Sequence, residues 1–223
     1  MSRKLFTGVA LAVGPLVWAS AALLATSSAY ANPFELQLSE SGYPTETVVS
    51  TTPLVSYTGT VGTFTANIIG GTSTTIPSID LTSSNVSSST AGTLTIELTE
   101  TGLLSPAGLT QWSTIFTGSW NAPGSSVRLQ SFVDLTDTLF GEGTPLSSLP
   151  ASSTPFALSD TEGANISMTP YSLTEVITVT AGGYGQFSLD GMLQPVPEPA
   201  SLTLLGTALV GLGWLGRRRS KQV

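Results

Sequence analysis

The sequence has no cysteine and no histidine, and only 9% of its 223 residues are charged. Without cysteine there is no disulfide frame, no catalytic thiol and no thiolate metal site. Without histidine there is no Ser-His-Asp or Cys-His relay and no His-ligated zinc. Basic residues are scarce, and they lie at the ends: Arg3 and Lys4 at the start, then Arg217, Arg218, Arg219 and Lys221. Arg128 is the one basic residue between them. Over residues 32–195 it faces 13 acids, a charge of −12, so the whole-chain value of −7 averages two basic ends with a strongly acidic middle. Such a middle argues against nucleic acid as a partner, which needs a basic face. Charge split in this way points to membrane topology signals at the ends.

The N-terminus reads as a secretory signal peptide over residues 1–31. Arg3 and Lys4 form a short positive region, and Leu5 to Leu24 is apolar apart from the break at Pro15. Ala29-Tyr30-Ala31 supplies the small-x-small pattern that signal peptidase accepts, which puts the mature start at Asn32. The competing reading is an uncleaved membrane anchor, since the apolar stretch is long; the placement of Ala29 and Ala31 favours cleavage.

The C-terminus, residues 196–223, has three parts in order. Pro197-Glu198-Pro199 is a stiff extended peptide with one carboxylate. Ala200 to Gly216 is a run of 17 uncharged residues, at the short end of what spans a bilayer core. Arg217, Arg218 and Arg219 follow at once, and the positive-inside rule keeps them cytoplasmic, so the acidic middle lies outside. This order closely resembles the PEP-CTERM sorting signal. The resemblance covers only the end of the chain. It implies recognition by an exosortase of Gram-negative bacteria, removal of the helix, and delivery to the cell surface or an exopolysaccharide matrix.

Residues 32–195 have the length of one domain. About a third of them are Ser or Thr, and Gly, Pro, Asn and Asp cut the segment into short runs. That rhythm predicts an all-β fold, an antiparallel β-sandwich of jelly-roll or Ig-like type, flanked by a signal helix and a transmembrane helix. Alternation places Leu94, Ile96 and Leu98 on one face of a strand and Thr93, Thr95 and Glu97 on the other. Further strands are expected at 34–38, 48–61, 64–69, 78–81, 112–120, 126–135, 173–180 and 185–190. Leu103 to Gln111 is the one stretch that reads as a short helical turn. Ser83 to Thr90 reads as a hydroxyl-rich loop.

Carboxylates are the only groups suited to chemistry. Three pairs lie close in sequence: Glu97 with Glu100, Asp134 with Asp137, and Asp160 with Glu162. A glycosidase needs two carboxyl groups about 5 to 10 Å apart, which sequence spacing alone does not establish. Calcium, which takes six to eight oxygens, is the better use, with Asp134, Asp137, Asp160 and Glu162 as candidate loop ligands. Arg128 is expected in a surface ion pair with an acid on a neighbouring strand. Trp112, Trp120, Tyr57, Tyr171 and Tyr184 are candidates to stack on sugars, with core packing favoured for the tryptophans.

These signals together predict an exported protein whose partners are the export machinery, signal peptidase, the inner membrane and an exosortase. The expected role is structural or adhesive, in exopolysaccharide or biofilm, and not catalytic. A calcium-dependent carbohydrate-binding module is the main alternative, and a carboxylate-pair hydrolase the third.

Overall fold

The computed structural model describes residues 34–72 and 77–196. Twelve strands occur in chain order. They are β1 (Phe34–Glu40), β2 (Glu46–Ser50), β3 (Leu54–Val61), β4 (Phe64–Thr72), β5 (Ile79–Ser88) and β6 (Gly92–Leu103). Then come β7 (Gly108–Trp120), β8 (Ser126–Asp134), β9 (Thr144–Ala151), β10 (Phe156–Ile166), β11 (Tyr171–Ala181) and β12 (Gly185–Pro195).

The period-two pattern does what it predicts. On β6, Leu94, Ile96 and Leu98 are fully buried while Thr93 is exposed and Thr95 and Glu97 are partly so. The same alternation runs along β1, β4 and β12. Threonine suits the outward positions because its branched Cβ fits the pleat. The inward faces close on a single core whose largest buried side chains include Trp112, Tyr171, Phe34, Phe64, Phe116 and Phe187.

The strands form two six-stranded antiparallel sheets. Sheet A runs β2-β1-β6-β11-β8-β9 and sheet B runs β10-β7-β12-β5-β4-β3. The pairing from β5 onward is nested: β5 with β12, β6 with β11, β7 with β10, β8 with β9. Long hairpins folded over one another in this way make a jelly roll, which decides between the two sandwich types expected. β1 and β2 extend sheet A beyond β6, and β3 and β4 extend sheet B beyond β5.

Every pairing is antiparallel and the connections are short, so successive strands run in opposite directions. Twelve is even, and the chain therefore returns to the end it started from. Phe34 pairs with Glu100 near the close of β6, and Pro195 pairs with Trp112 near the opening of β7. Both termini of the sandwich leave from one end.

Four expectations are corrected. The run 48–61 is two strands in different sheets. The break lies at residues 51–53, where Ser50 Oγ accepts from Thr52 N–H (3.1 Å) and donates to the Leu54 carbonyl (2.8 Å), and Pro53 removes a ladder donor. Leu103 to Gln111 is not helical: Gly102 and Gly108 take positive φ of 75° and 84°, ending β6 and opening β7 around a short connection. Most of Ser83 to Thr90 is β5, not loop, with Ser84 and Ser88 buried. β9 and β10 were not foreseen. β9 carries Pro145 and Pro150, tolerated because it is the edge of sheet A. The expected flanking helices at residues 1–31 and 200–216 lie outside the described residues; among those described, no helix is long and apolar enough to cross a membrane.

Candidate functional site

The outer face of sheet B holds a groove of about 590 Å³. It crosses five strands, with Thr58 on β3, Thr65 and Asn67 on β4, Asn85 and Ser87 on β5, Gln186 and Ser188 on β12, and Ser119 on β7. Alternation places these polar side chains together. Each sits one residue from an inward apolar neighbour such as Ala66, Val86 or Phe187. No lining residue is charged.

Hydrogen bonds preorganise the lining. Thr58 Oγ1 donates to Asn67 Oδ1 (3.2 Å), and the Gln186 backbone N–H donates to Asn121 Oδ1 (2.7 Å). The Trp120 backbone N–H donates to Thr154 Oγ1 (2.9 Å). Trp120 pairs with the inward Phe187, so its ring lies on the core side of sheet B, stacked on Phe187 at 6.3 Å between centroids and 5.7 Å from Phe156. Carboxamides and hydroxyls offer donors and acceptors side by side. The volume is in the range of small-ligand sites.

A second polar group lies inside the sandwich. Thr114 on β7, Ser131 on β8 and Ser147 on β9 form a buried hydroxyl chain, with 2.8 Å for each link. Glu175 on β11 pairs directly with Ser131 and is fully buried. Neither of its carboxyl oxygens has a hydrogen-bond partner in the protein. Burial pushes this carboxyl well above the usual range, and Asp80 and Asp190 add like-charge repulsion. Burial, then Asp190, pushes Asp80 up to about 6, and burial raises Asp190.

The candidates from sequence fall in different places. Asp134 closes the turn after β8, where Oδ1 accepts from Thr136 N–H (2.8 Å) and Thr136 Oγ1 (2.6 Å). Asp137, at φ 55°, accepts from Gly102 N–H at 2.7 Å. Asp160 and Glu162 were expected on a loop; they are exposed on β10, in the other sheet, so the structure does not gather the four around one ligand loop. Glu97 lies on the outer face of β6, and Glu100 lies on the inner face, bonded to Thr72 Oγ1 at 2.5 Å. Arg128 was expected to meet an acid. Instead its Nε and Nη2 donate to Ser148 Oγ (3.1 and 2.9 Å), because its cross-strand neighbours on β9 and β11 are Pro150 and Thr178. Trp112 and Tyr171 are core residues in edge-to-face contact, and the Tyr171 hydroxyl donates to the Ser105 carbonyl at 2.6 Å. Tyr57 and Trp120 pack against the core, and Tyr184 is exposed on the β11–β12 turn, so none of the five rings lies on the groove face.

Glu175 and the groove amides were not singled out from sequence. The signal for Glu175 was present, since alternation puts it on the same face as Leu173 and Ile177. Ala29, Ala31, Pro197, Glu198, Pro199, Arg217, Arg218 and Arg219 lie outside the described residues.

No curated protein matches the chain. Among solved structures, TmCBM61 in complex with β-1,4-galactotriose is similar at 15% identity and a TM-score of 0.33, over 51% of this chain and 70% of that one. A carbohydrate-binding module of the β-sandwich superfamily, described for promiscuous specificity, is similar at 16% identity and a TM-score of 0.32, over 72% of each chain. The enzymatically active domain of tailspike protein 4 of bacteriophage CBA120 is similar at 9% identity and a TM-score of 0.31, over 72% of this chain and 19% of that one. Likeness at this level leaves the ligand to be argued from the groove itself. Residues 195–219 match the PEP-CTERM protein-sorting motif, the segment that holds the Pro-Glu-Pro peptide, the uncharged run and the three arginines.

Proposed function

We propose that the chain is exported, held briefly in the inner membrane by its C-terminal segment, and released by an exosortase to the cell surface or extracellular matrix. There its sandwich adheres to neutral polysaccharide along the groove of sheet B, as a binding and matrix-building protein and not as an enzyme. The observation that carries the adhesive part is the groove's lining: carboxamides and hydroxyls drawn from five strands, with no charge. Sugar hydroxyls pair with such amides and hydroxyls. A domain of charge −12 repels anionic polymers, which favours a neutral glycan. Calcium is not needed for this contact, since the groove holds no carboxylate, Asp134 is engaged within its turn, and Asp137 is engaged by the Gly102 N–H of β6.

Binding to a panel of neutral and acidic polysaccharides tests the adhesive part. Neutral glycans should bind with or without EDTA, and Gln186→Ala should weaken binding about fivefold, the scale of one lost hydrogen bond of about 1 kcal/mol. Absence of binding across the panel, or a Gln186→Ala protein that binds as well as wild type, refutes it. Sorting is tested separately in the native host. Glu198→Ala should leave the unprocessed chain in the inner membrane, and unchanged processing refutes that part.

A further inference from the structure

We propose that the end of the sandwich bearing both chain termini rests on the membrane while the chain is anchored. Leu104, Leu109 and Met168 are then sunk in the lipid interface. The inference rests on the anchoring reading above and adds the surface that meets the bilayer.

Leu104, Leu109 and Met168 are 68%, 77% and 61% exposed. The strand registers bring them to one end. Ile166 pairs with Gly108 and Tyr171 with Leu103, so the connection after β10, which carries Met168, runs beside the connection after β6, which carries Leu104. Leu109 begins β7 next to it. Residues 103–115, 163–174 and 191–196 hold no charged side chain, in a domain that is otherwise strongly acidic. Desolvating this lip therefore costs little, and three large apolar side chains gain by it.

Chain length supplies the occupant. The Val196 backbone N–H donates to the Gln111 carbonyl at 2.7 Å, so the described chain ends on β7, two residues from Leu109. The uncharged run starts at Ala200, four residues further on. Four residues reach at most about 14 Å, so once that run enters the bilayer the lip is held at its surface. β1 starts from this same end, so a signal segment still attached would also lead down to the membrane. Asp137 and Glu142, on the connection between β8 and β9 at this end, bias the contact towards the β6–β7 and β10–β11 side.

The test uses the full chain in vesicles of phosphatidylethanolamine with a minor fraction of phosphatidylglycerol. The sequence has no cysteine, so Leu104→Cys, Leu109→Cys and Met168→Cys each take a single environment-sensitive fluorophore, and Tyr184→Cys at the far end is the control. The three lip labels should shift to the blue and lose most of their emission to nitroxide-bearing lipids, while the control does neither. Lip labels that behave like the control overturn the proposal. A blue shift without lipid quenching also overturns it, by making protein the occupant. A chain that does not float with the vesicles refutes the anchoring reading, and this inference with it.

Discussion

Replacing Glu175 by Gln should raise stability at neutral pH and remove most of its pH dependence. In the unfolded chain a Glu titrates near 4.3. In the fold Glu175 is wholly buried, has no hydrogen-bond partner in the protein, and faces Asp80 on β5 and Asp190 on β12. Its carboxyl is pushed well up, so the folded state keeps a proton that the unfolded state gives away. The group's contribution to stability is complete below about pH 4.3 and is lost as pH rises from there through the folded-state value. Over that window stability falls by about 1.4 kcal/mol per pH unit. Asp80, pushed up to about 6, acts with the same sign between its ordinary value and that one. It is partly exposed, and screening reduces its share to about 1 kcal/mol. With a urea m-value of about 2 kcal/mol/M, the unfolding midpoint should drop by about 0.7 M per pH unit. Glu175→Gln is neutral at every pH and should keep only the shallower slope left by Asp80, Asp190, Glu97 and Glu100, whose carboxyls burial also raises. Urea titrations of both proteins at pH 5, 6 and 7 decide it. A wild-type midpoint that rises with pH, or a variant with the wild-type slope, refutes the reasoning.

Two further substitutions test the packing. Ser131→Ala removes the middle of the buried hydroxyl chain and deprives Thr114 and Ser147 of a partner each. It should cost about 1–3 kcal/mol, and an unchanged urea midpoint would show the chain to be dispensable. At Gly185 an added Cβ would run into the Cβ and backbone of Ala122, whereas at Gly183 it would meet nothing within 4 Å. Gly185→Ala should lose about 1–3 kcal/mol and Gly183→Ala about 0.5 or less. Equal losses measured by thermal unfolding would mean that β12 does not sit against the β7–β8 connection as described.

The strands legible from sequence are those with alternation and a buried face, such as β6 and β8, or with a dense β-branched run, such as β11, which is buried on both faces over its first seven residues. β9 and β10 were missed because they are edge strands. β9 carries two prolines, and β10 has a run of five exposed residues, Ser159 to Gly163, so neither shows a hydrophobic stripe. The break between β2 and β3 was missed because the residues on either side of Pro53 are as β-prone as those in the strands, although Pro53 itself was the readable signal. The nested pairing that makes the jelly roll rests on contacts more than a hundred residues apart, such as Ile79 with Leu193. Local periodicity carries no record of these.

The candidate site was hidden for a related reason. Period-two patterning reports which face a residue takes, but not which outward residues share a groove. Asn67, Asn85 and Gln186 lie on neighbouring strands of sheet B, yet Gln186 is about a hundred residues from the other two. Alternation did report the exception to itself. In the run from Leu173 to Val179, Glu175 occupies an inward position between Leu173 and Ile177, where a strand built for burial alone would carry another aliphatic side chain. A charged form there would cost far more than the fold can offset, so the group stays protonated and its energetic cost becomes a function of pH. An acid at an inward strand position is therefore readable from one sequence as a site of proton linkage. Its partners, Asp80 and Asp190, become known only when the second sheet is laid across the first.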